Sequence, residues 1–394
     1  MERHIFLIAG EISGDRLGAD LMRGLASYAG TARFSGIGGP AMMQAGLKPL
    51  FNYSELSVMG LFEVLPRLPH LFARIRETAD SVIGSGADAL ITIDSPDFTL
   101  RVARLVRQAC PELPIIHYVS PSIWAWRPAR LRKLRGVVDH VLALLPFEPE
   151  LLQAGGIDAT FVGHPAGFME SVSVTEMNAG LGETGLDRGS PILTILPGSR
   201  RNEVRRLAPV FGKAAELFLR RCPEYQIAVI AAESVAPLVR QEIQNWSFRP
   251  QAVVSDAVAK HGKSAVFAAS SLALAASGTV TLELARAETP MVVAYDVNFL
   301  SRVLISRLLR VDTVTLVNLI SGTREVPELL GRQCQPMPIY EQLQRLHSDQ
   351  DARKRQLAAS RQAIDLLRSR GEPPGQVAAA TVLRTIGTCR GDAE

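Results

Sequence analysis

The chain has 394 residues, of which 47% are hydrophobic and 21% are charged, and its formal net charge at pH 7 is +4. This length suits two domains better than one, and the hydrophobic content excludes a disordered chain. Arginines and lysines are spread over both halves without a dense basic run, so no nucleic acid partner is expected, and an anionic small molecule or membrane surface is favoured.

The N-terminal region and the cysteines limit where the protein works. The apolar run at residues 5–9 is shorter than the hydrophobic region of a signal peptide, and no apolar run reaches the roughly 18 residues of a spanning helix. The four cysteines are far apart and form no C-x-x-C pair, which indicates neither disulfides nor a zinc site. We predict a cytoplasmic protein.

Short apolar runs alternate with amphipathic segments, which predicts parallel strands joined by helices. A segment rich in Ser, Gly, Thr and Glu at residues 171–191 separates two such series. We predict an α/β fold with Rossmann-like domains at residues 1–170 and 190–345. Residues 346–394 are predicted to be C-terminal helices, for which packing on the first domain and packing on a partner subunit are both left open. The predicted strands are residues 5–9, 33–37, 89–93, 115–119, 140–145, 159–162, 192–196, 226–230, 252–254, 272–275, 291–295 and 315–317.

A glycine-containing turn, GEISGD at residues 10–15, follows the first predicted strand. Glycines in such a turn let a ligand approach the backbone near a helix N-terminus. The turn lacks both the G-x-G-x-x-G fingerprint and a Walker A lysine. The alternative is an ordinary strand-to-helix turn in which Asp15 caps the helix.

A second glycine turn, GIGGPA at residues 36–41, matches the dinucleotide-binding pattern G-x-G-x-x-A. Pro40 removes an N–H that a pyrophosphate would use, and the pattern normally follows the first strand rather than the second. An NAD-linked oxidoreductase built on this turn is therefore an alternative function.

Two basic amphipathic segments occupy residues 58–76 and 299–310. Each has an apolar face beside several arginines, a pattern that can lie on an anionic bilayer. The alternative for each is an ordinary core helix with a solvated basic face.

Acidic residues follow the predicted strand at residues 89–93. A carboxylate at this sheet edge can accept the proton of an attacking sugar hydroxyl, and Asp94 is favoured as this general base, with Asp97 as a helix cap. His117 lies inside the next strand, where a packed core histidine is expected. The loop that follows contains Trp124, which covers a ligand or packs on a neighbour.

Two turns of the second domain predict a nucleoside diphosphate site. LPGSRRNE at residues 196–203 places a glycine turn, a helix N-terminus and Arg200 together, which favours phosphate binding. SGTVTLE at residues 277–283 places Glu283 one turn into a helix, where it can accept hydrogen bonds from both ribose hydroxyls. The DQD at residues 349–351 is interpreted as a helix cap, so no metal is predicted.

Together these motifs resemble the lipid-A-disaccharide synthase family. The likeness runs from the first strand to about residue 330. The motifs that carry it are AGEISGD at residues 9–15, VMG at 58–60, IDSPDF at 93–98, HYVSPSIWAWR at 117–127, LPFE at 145–148, LPGSR at 196–200, SGTVTLE at 277–283, PMVVAY at 290–295 and the NL segment at Asn318.

The resemblance implies a GT-B fold, with two Rossmann-like domains whose parallel sheets face an interdomain cleft. It implies inverting transfer of 2,3-diacylglucosamine from its UDP form to 2,3-diacylglucosamine 1-phosphate, giving a β(1→6) disaccharide 1-phosphate and UDP. The UDP-sugar is a substrate, so no cofactor is expected. The resemblance further implies peripheral association with the inner membrane, and a homodimer is left open.

Residue roles also follow from the resemblance. Asp94 is the catalytic base, and Arg200 holds the departing diphosphate. The expected nucleotide-binding residues are Gly198, Ser199, Arg200, Ser277, Gly278, Thr279, Glu283 and Asn318, and the expected acceptor-side residues are Glu11, Ser13, Asp15, Ser120 and Trp124. A UDP-sugar 2-epimerase, which has the same architecture, and a catalytically inactive binding protein are further alternatives.

Overall fold

A computed structural model describes residues 3–29, 32–56, 68–121, 131–187, 189–255, 262–296, 312–369 and 371–390. Trp124, the segment predicted at residues 299–310 and residues 58–67 of the other amphipathic segment lie outside this range. The chain divides into two compact units, one formed by Met1–Pro165 with Leu367–Glu394 and the other by Ala166–Leu366. None of the described helices is both long and apolar enough to cross a membrane.

The first unit contains a parallel sheet, which has seven strands in the described residues, in the order β3-β2-β1-β4-β5-β6-β7. Central strands such as β4 are apolar and buried along their whole length, as expected when helices cover both faces. The strands are β1 (Arg3–Ala9), β2 (Ala32–Ile37), β3 (Lys48–Pro49), β4 (Ala89–Ile93), β5 (Ile115–Tyr118), β6 (His140–Ala143) and β7 (Ala159–Phe161). The helices are α1 (Ile12–Ala29), α2 (Pro40–Gln44), α3 (Leu68–Gly84), α4 (Pro96–Ala109), α5 (Leu131–Leu134), α6 (Glu148–Ala154) and, from the C-terminal region, α15 (Pro374–Arg390).

The second unit contains a parallel sheet with six strands in the described residues, in the order β10-β9-β8-β11-β12-β13. Its strands are β8 (Ile192–Leu196), β9 (Gln226–Ile230), β10 (Ala252–Val254), β11 (Ser270–Ala275), β12 (Met291–Tyr295) and β13 (Glu328–Leu330). Its helices are α7 (Val174–Thr184), α8 (Arg201–Leu219), α9 (Ala236–Glu242), α10 (Gly262–Ala269), α11 (Val280–Arg286), α12 (Leu316–Ser321), α13 (Pro336–Ser348) and α14 (Gln350–Leu366).

The strand order reverses once in each sheet, between β1 and β4 and between β8 and β11. Chain connections leave such a switch point toward opposite sides, which opens a crevice at the carboxyl ends of the two strands. The turns that begin at residues 10, 94, 197 and 276 all lie at these ends. The predicted two-domain α/β fold is confirmed, and its motifs lie where such sheets bind ligands.

The prediction of a strand at residues 315–317 is wrong, because Thr315 is the N-cap of helix α12 and the next two residues lie in its first turn. The carboxylate of Glu328 accepts hydrogen bonds from the backbone N–H groups of Val314 and Thr315, which a strand would need for pairing. The next strand of the sheet after β12 is instead β13, which contains Glu328 itself.

The unit boundaries also differ from the predicted domain ranges. The segment at residues 171–191 contains helix α7, which begins with a capping box formed by Ser173 and Glu176 and packs against α10 in the second unit. The C-terminal segment at residues 346–394 is divided, because α14 belongs to the second unit and α15 to the first.

Helix α15 packs closely on α1 through two glycines. A Cβ atom added at Gly24 would lie 2.4 Å from the carbonyl oxygen of Gly375, and the Gly375 N–H donates to Asp20 Oδ2 at 2.9 Å. No side chain fits between the two helices at this point.

Gly24→Ala is therefore expected to loosen α15. Overpacking of this kind costs about 1–3 kcal/mol, so the amide hydrogens of residues 375–390 should exchange about 5- to 150-fold faster. Gly84→Ala is the matched control, because a Cβ there meets nothing within 4 Å. Equal exchange in wild type and Gly24→Ala would contradict this account of the contact.

His117 is the core histidine that the sequence predicts. It is fully buried in β5, its Nδ1 lies 2.8 Å from Thr92 Oγ1, and its Nε2 has no partner within the described residues. Burial lowers the pKa of His117 to about 4. The ring is therefore neutral in the folded protein at pH 5.

This burial predicts a pH-dependent loss of stability. In the unfolded chain His117 takes up a proton near pH 6.5, whereas in the folded protein it does so only near pH 4. The free energy of unfolding is therefore highest above pH 6.5 and falls as the pH is lowered toward about 4. Between pH 7.5 and pH 5, the free energy of unfolding should fall by about 1–2 kcal/mol less in His117→Gln than in the wild type. Urea unfolding at the two pH values measures this difference, and equal losses in variant and wild type would refute it.

Candidate active site

Strained backbone marks the carboxyl edge of the first sheet. Asp94 and Ser95, directly after β4, have φ values of 52° and 46°, and Val119, directly after β5, has a φ of 77°. Non-glycine residues in this region cost about 1–3 kcal/mol each and are concentrated at functional sites. The two strained turns lie side by side, because Asp94 N donates to Tyr118 O at 2.9 Å.

The carboxylate of Asp94 is positioned by this turn. Its Oδ1 accepts a hydrogen bond from Ser95 N at 2.8 Å, and the residue is half-buried. The hydroxyl of Thr99 donates to Asp94 O, which ties the turn to helix α4. Asp97 is exposed in the first turn of that helix, and the N-cap is Ser95, so the prediction that Asp97 is the cap is wrong.

The turn after β1 contacts this turn directly. A Cβ added at Gly10 would lie 2.9 Å from Ser95 Oγ, which explains the glycine, and Ser95 Oγ donates to Glu11 Oε1 at 3.5 Å. The turns that contain Glu11 and Asp94 therefore meet at the β1–β4 switch point, through Ser95. Ser13 is exposed on α1, whereas Ser120 is buried and donates its hydroxyl to Pro121 O.

The carboxylate of Asp15 is used in structural hydrogen bonds and does not face an open site. Its two oxygens accept hydrogen bonds from the backbone N–H groups of Gly39, Ala41 and Met42 at 2.8–3.0 Å, and the residue is buried. These are the donors that a dinucleotide pyrophosphate would need in the 36–41 turn. The structure thus removes the basis for an NAD site there.

The PGSR turn after β8 is occupied by a carboxylate of its own helix. Glu203 Oε2 accepts from Ser199 N at 3.1 Å and from Arg200 N at 3.3 Å. Gly198 has a φ of 112°, and a Cβ there would lie 2.7 Å from Glu203 Cβ. The side chain of Arg200 is 60% exposed. The turn therefore presents a cation, while its predicted backbone donors are already used.

The SGT turn after β11 is open. The main-chain N–H groups of Gly278 and Thr279 donate to no other described residue, both residues are exposed, and a Cβ at Gly278 would meet nothing within 4 Å. Glu283 follows one turn later and is half-buried. A hydrogen bond from Ala276 N to Leu196 O holds this turn beside the PGSR turn.

Lys263, which the sequence analysis missed, holds Glu283. Its Nζ lies 2.8 Å from Glu283 Oε2 and 3.2 Å from Oε1. Lys263 is on α10, 20 residues before its partner, and no motif or periodic pattern links the two positions. The contact fixes the carboxylate that is predicted to bind ribose.

Asn318 is not brought to the two turns as a ligand-facing side chain. It is 1% exposed, its Nδ2 donates to Val326 O at 2.9 Å, and its Oδ1 accepts from Val326 N at 3.0 Å. Both ends of the amide are used to join α12 to the strand region that follows. The assignment of Asn318 to nucleotide binding has no support in this geometry.

Within the described ranges, one group of side chains could hold a metal ion. Cys222, Glu224 and His347 offer ligand atoms that lie within 4.8 Å of one another. Cys222 and Glu224 precede β9, at the amino edge of the sheet, whereas the PGSR and SGT turns lie at its carboxyl edge. This group therefore has no place in the chemistry at those turns.

Solved structures of an epimerase and a glycosyltransferase share the fold of this chain. The UDP-GlcNAc 2-epimerase from Neisseria meningitidis, bound to UDP-GlcNAc, superposes with a TM-score of 0.61 at 12% identity over 98% of this chain and 100% of that one. CalG4, the calicheamicin glycosyltransferase, gives a TM-score of 0.58 at 14% identity over 98% and 99% of the two chains. At these identities the likeness shows a GT-B-type fold alone.

Sequence relatives are far closer. A lipid-A-disaccharide synthase of Ruegeria pomeroyi is 49% identical over 383 residues, which cover 96% of this chain and 94% of the relative. One of Rhodospirillum centenum is 42% identical over 388 residues, covering 97% and 94%. The family model described as lipid-A-disaccharide synthetase matches residues 5–382. The chain therefore belongs to the lipid-A-disaccharide synthase family of glycosyltransferases.

Proposed function

We propose that this chain transfers 2,3-diacylglucosamine from its UDP form to the 6-hydroxyl of 2,3-diacylglucosamine 1-phosphate with inversion at the anomeric carbon. The products are the β(1→6) disaccharide 1-phosphate and UDP. The observation that carries the proposal is the 49% identity to a lipid-A-disaccharide synthase over 96% of this chain. The UDP-GlcNAc 2-epimerase of Neisseria meningitidis, which has the same fold, is only 12% identical.

The second unit is proposed to bind the UDP group. The Arg200 guanidinium can donate bidentate hydrogen bonds to the diphosphate oxygens, and the open N–H groups of the SGT turn can donate to a phosphate oxygen. Glu283, fixed by Lys263, can accept both ribose hydroxyls. These contacts would stabilise UDP as a leaving group by fixed hydrogen bonds and charge, with no metal required in the scheme.

The first unit is proposed to supply the base. As the acceptor oxygen attacks the anomeric carbon, its C–O bond forms while the bond to UDP breaks, and the hydroxyl proton must leave the oxygen. Asp94 is the proposed proton acceptor, because its carboxylate is half-buried and fixed at a strained turn at the switch point. Glu11, whose carboxylate accepts from the hydroxyl of the next residue, Ser95, is proposed to orient the acceptor sugar.

Both proposed substrates carry acyl chains, so we also propose peripheral contact with the membrane. In the described part of the first amphipathic segment, Ile75 is packed in the core and Phe72 is 45% exposed, with the Arg101 guanidinium 5.4 Å from its ring centroid. An exposed aromatic ring beside a cation is a surface that suits an anionic lipid interface.

Asp94→Asn is expected to lower kcat at least about a hundredfold, the scale of a lost general base. The assay measures UDP and disaccharide formed from the two lipid substrates in detergent micelles. Asp97→Asn is the matched control and should retain wild-type kcat, because that carboxylate is exposed on α4. Wild-type activity in Asp94→Asn would remove Asp94 as the base, and UDP release without disaccharide in the wild type would refute the transferase reaction.

Glu283→Gln is expected to weaken UDP binding about tenfold or more, because a carboxylate that accepts two hydroxyl donors is replaced by a neutral amide. Titration calorimetry should show that 2′,3′-dideoxy-UDP, which lacks both hydroxyls, binds the variant and the wild type equally. Glu288→Gln serves as the control, since Glu288 lies just beyond α11 and pairs with Arg361. A similar loss for both nucleotides would exclude the ribose contact.

A further inference from the structure

We propose that Glu203 and Tyr295 are positioning residues that direct the Arg200 guanidinium toward the diphosphate, while the backbone donors of the PGSR turn remain closed to the ligand. This inference rests on the proposed function, because it takes Arg200 as the residue that meets UDP. It reverses the sequence-based expectation that the main-chain N–H groups of this turn form the phosphate site.

The Glu203 carboxylate is at the centre of four hydrogen bonds. Oε2 accepts from Ser199 N and Arg200 N, as described above, and Oε1 accepts from Tyr295 Oη at 3.0 Å and from Arg200 Nη1 at 3.4 Å. Tyr295 is the last residue of β12, which neighbours β11 in the sheet. One carboxylate therefore connects the start of α8, the end of β12 and the side chain of Arg200.

Several contacts keep the carboxylate in place when an anion approaches. The Glu203 side chain is only 14% exposed, and the backbone of Gly198 packs on it so closely that no Cβ fits there. Displacing it would break the hydrogen bonds from two N–H groups and a hydroxyl at once, and would leave a partly buried carboxylate without partners. A diphosphate would therefore meet this turn through Arg200, whose side chain is 60% exposed.

Tyr295 supplies a donor that does not change with pH in the neutral range. Burial and the neighbouring Glu203 carboxylate raise the pKa of Tyr295 to about 12. The phenol thus remains protonated and donates to Oε1. With Oε1 held by the phenol, the carboxylate engages Nη1 of Arg200, and the guanidinium keeps its other N–H groups for a bidentate contact with phosphate oxygens.

The test is a double-mutant cycle on nucleotide binding. Tyr295→Phe is expected to raise the Kd for UDP about three- to tenfold, which is the effect of losing one hydrogen bond to the Glu203 carboxylate. The Kd for uridine, which has no phosphate, should not change. In an Arg200→Ala background, Tyr295→Phe should change the Kd for UDP less than about twofold, because the residue through which it acts is gone. Calorimetry measures UDP directly and uridine by displacement of UDP.

Two further variants keep the test decisive. If Tyr295→Phe does not fold, Glu203→Gln takes its place in the test. It should show the same weakening of UDP binding with an unchanged Kd for uridine. Tyr225→Phe removes a hydroxyl that contacts His347 at the amino edge of the same sheet, and should leave both Kd values unchanged.

Four results would overturn the inference: an unchanged Kd for UDP, equal weakening of UDP and uridine, tighter UDP binding, or the full effect in the Arg200→Ala background. Tighter binding would mean that Glu203 competes with the diphosphate for the turn. Disaccharide formation by the wild type is measured separately. A protein that makes disaccharide but gives one of these four results keeps the proposed function and loses only the inference.

Discussion

Each unit depends on one pair of adjacent parallel strands at which the order of the strands in the sheet reverses. In the first unit β1 pairs with β4, and in the second β8 pairs with β11. Connections that diverge from such a pair leave its carboxyl ends uncovered. The turns beginning at Gly10, Asp94, Pro197 and Ala276 all start at these ends. Without the reversal, the same motifs would be covered by crossing helices.

Internal carboxylates decide which of these turns stay open to a ligand. Asp15 occupies the N–H groups of the 39–42 turn, and Glu203 occupies those of the PGSR turn. Each satisfies backbone donors near a helix start, as an external anion would. A glycine turn before a helix is therefore an incomplete indication of a phosphate site, since a nearby Asp or Glu can take the same position. Within the described residues, no carboxylate accepts from the N–H groups of Gly278 and Thr279 in the SGT turn, and Glu283 pairs with Lys263 instead.

The sequence predicted the sheets well because buried parallel strands are continuous apolar runs between glycine-containing turns. It failed at residues 315–317, where a β-branched run looks like a strand but Glu328 takes the N–H groups that pairing would use. It also missed Lys263, whose contact with Glu283 joins residues 20 positions apart on different helices. Local pattern identified turns and strands, whereas the partners of charged side chains depend on tertiary contacts that no local pattern contains. The pairing of the Asn318 amide with Val326 is likewise a tertiary contact that the sequence does not show.

The return of α15 to the first unit makes the second unit an insertion in the first. Residues 166–366 are contiguous, so this unit can complete its core as soon as they have left the ribosome. The first unit must wait for the helix at residues 374–390, whose apolar side chains, among them Val377, Val382 and Ile386, are buried in its core. During synthesis, the face of α1 that α15 covers is thus exposed while about 200 residues are translated, at roughly 5–20 residues per second. The first unit is therefore synthesised first but completes its fold last. For tens of seconds it exposes an apolar surface that chaperones can bind.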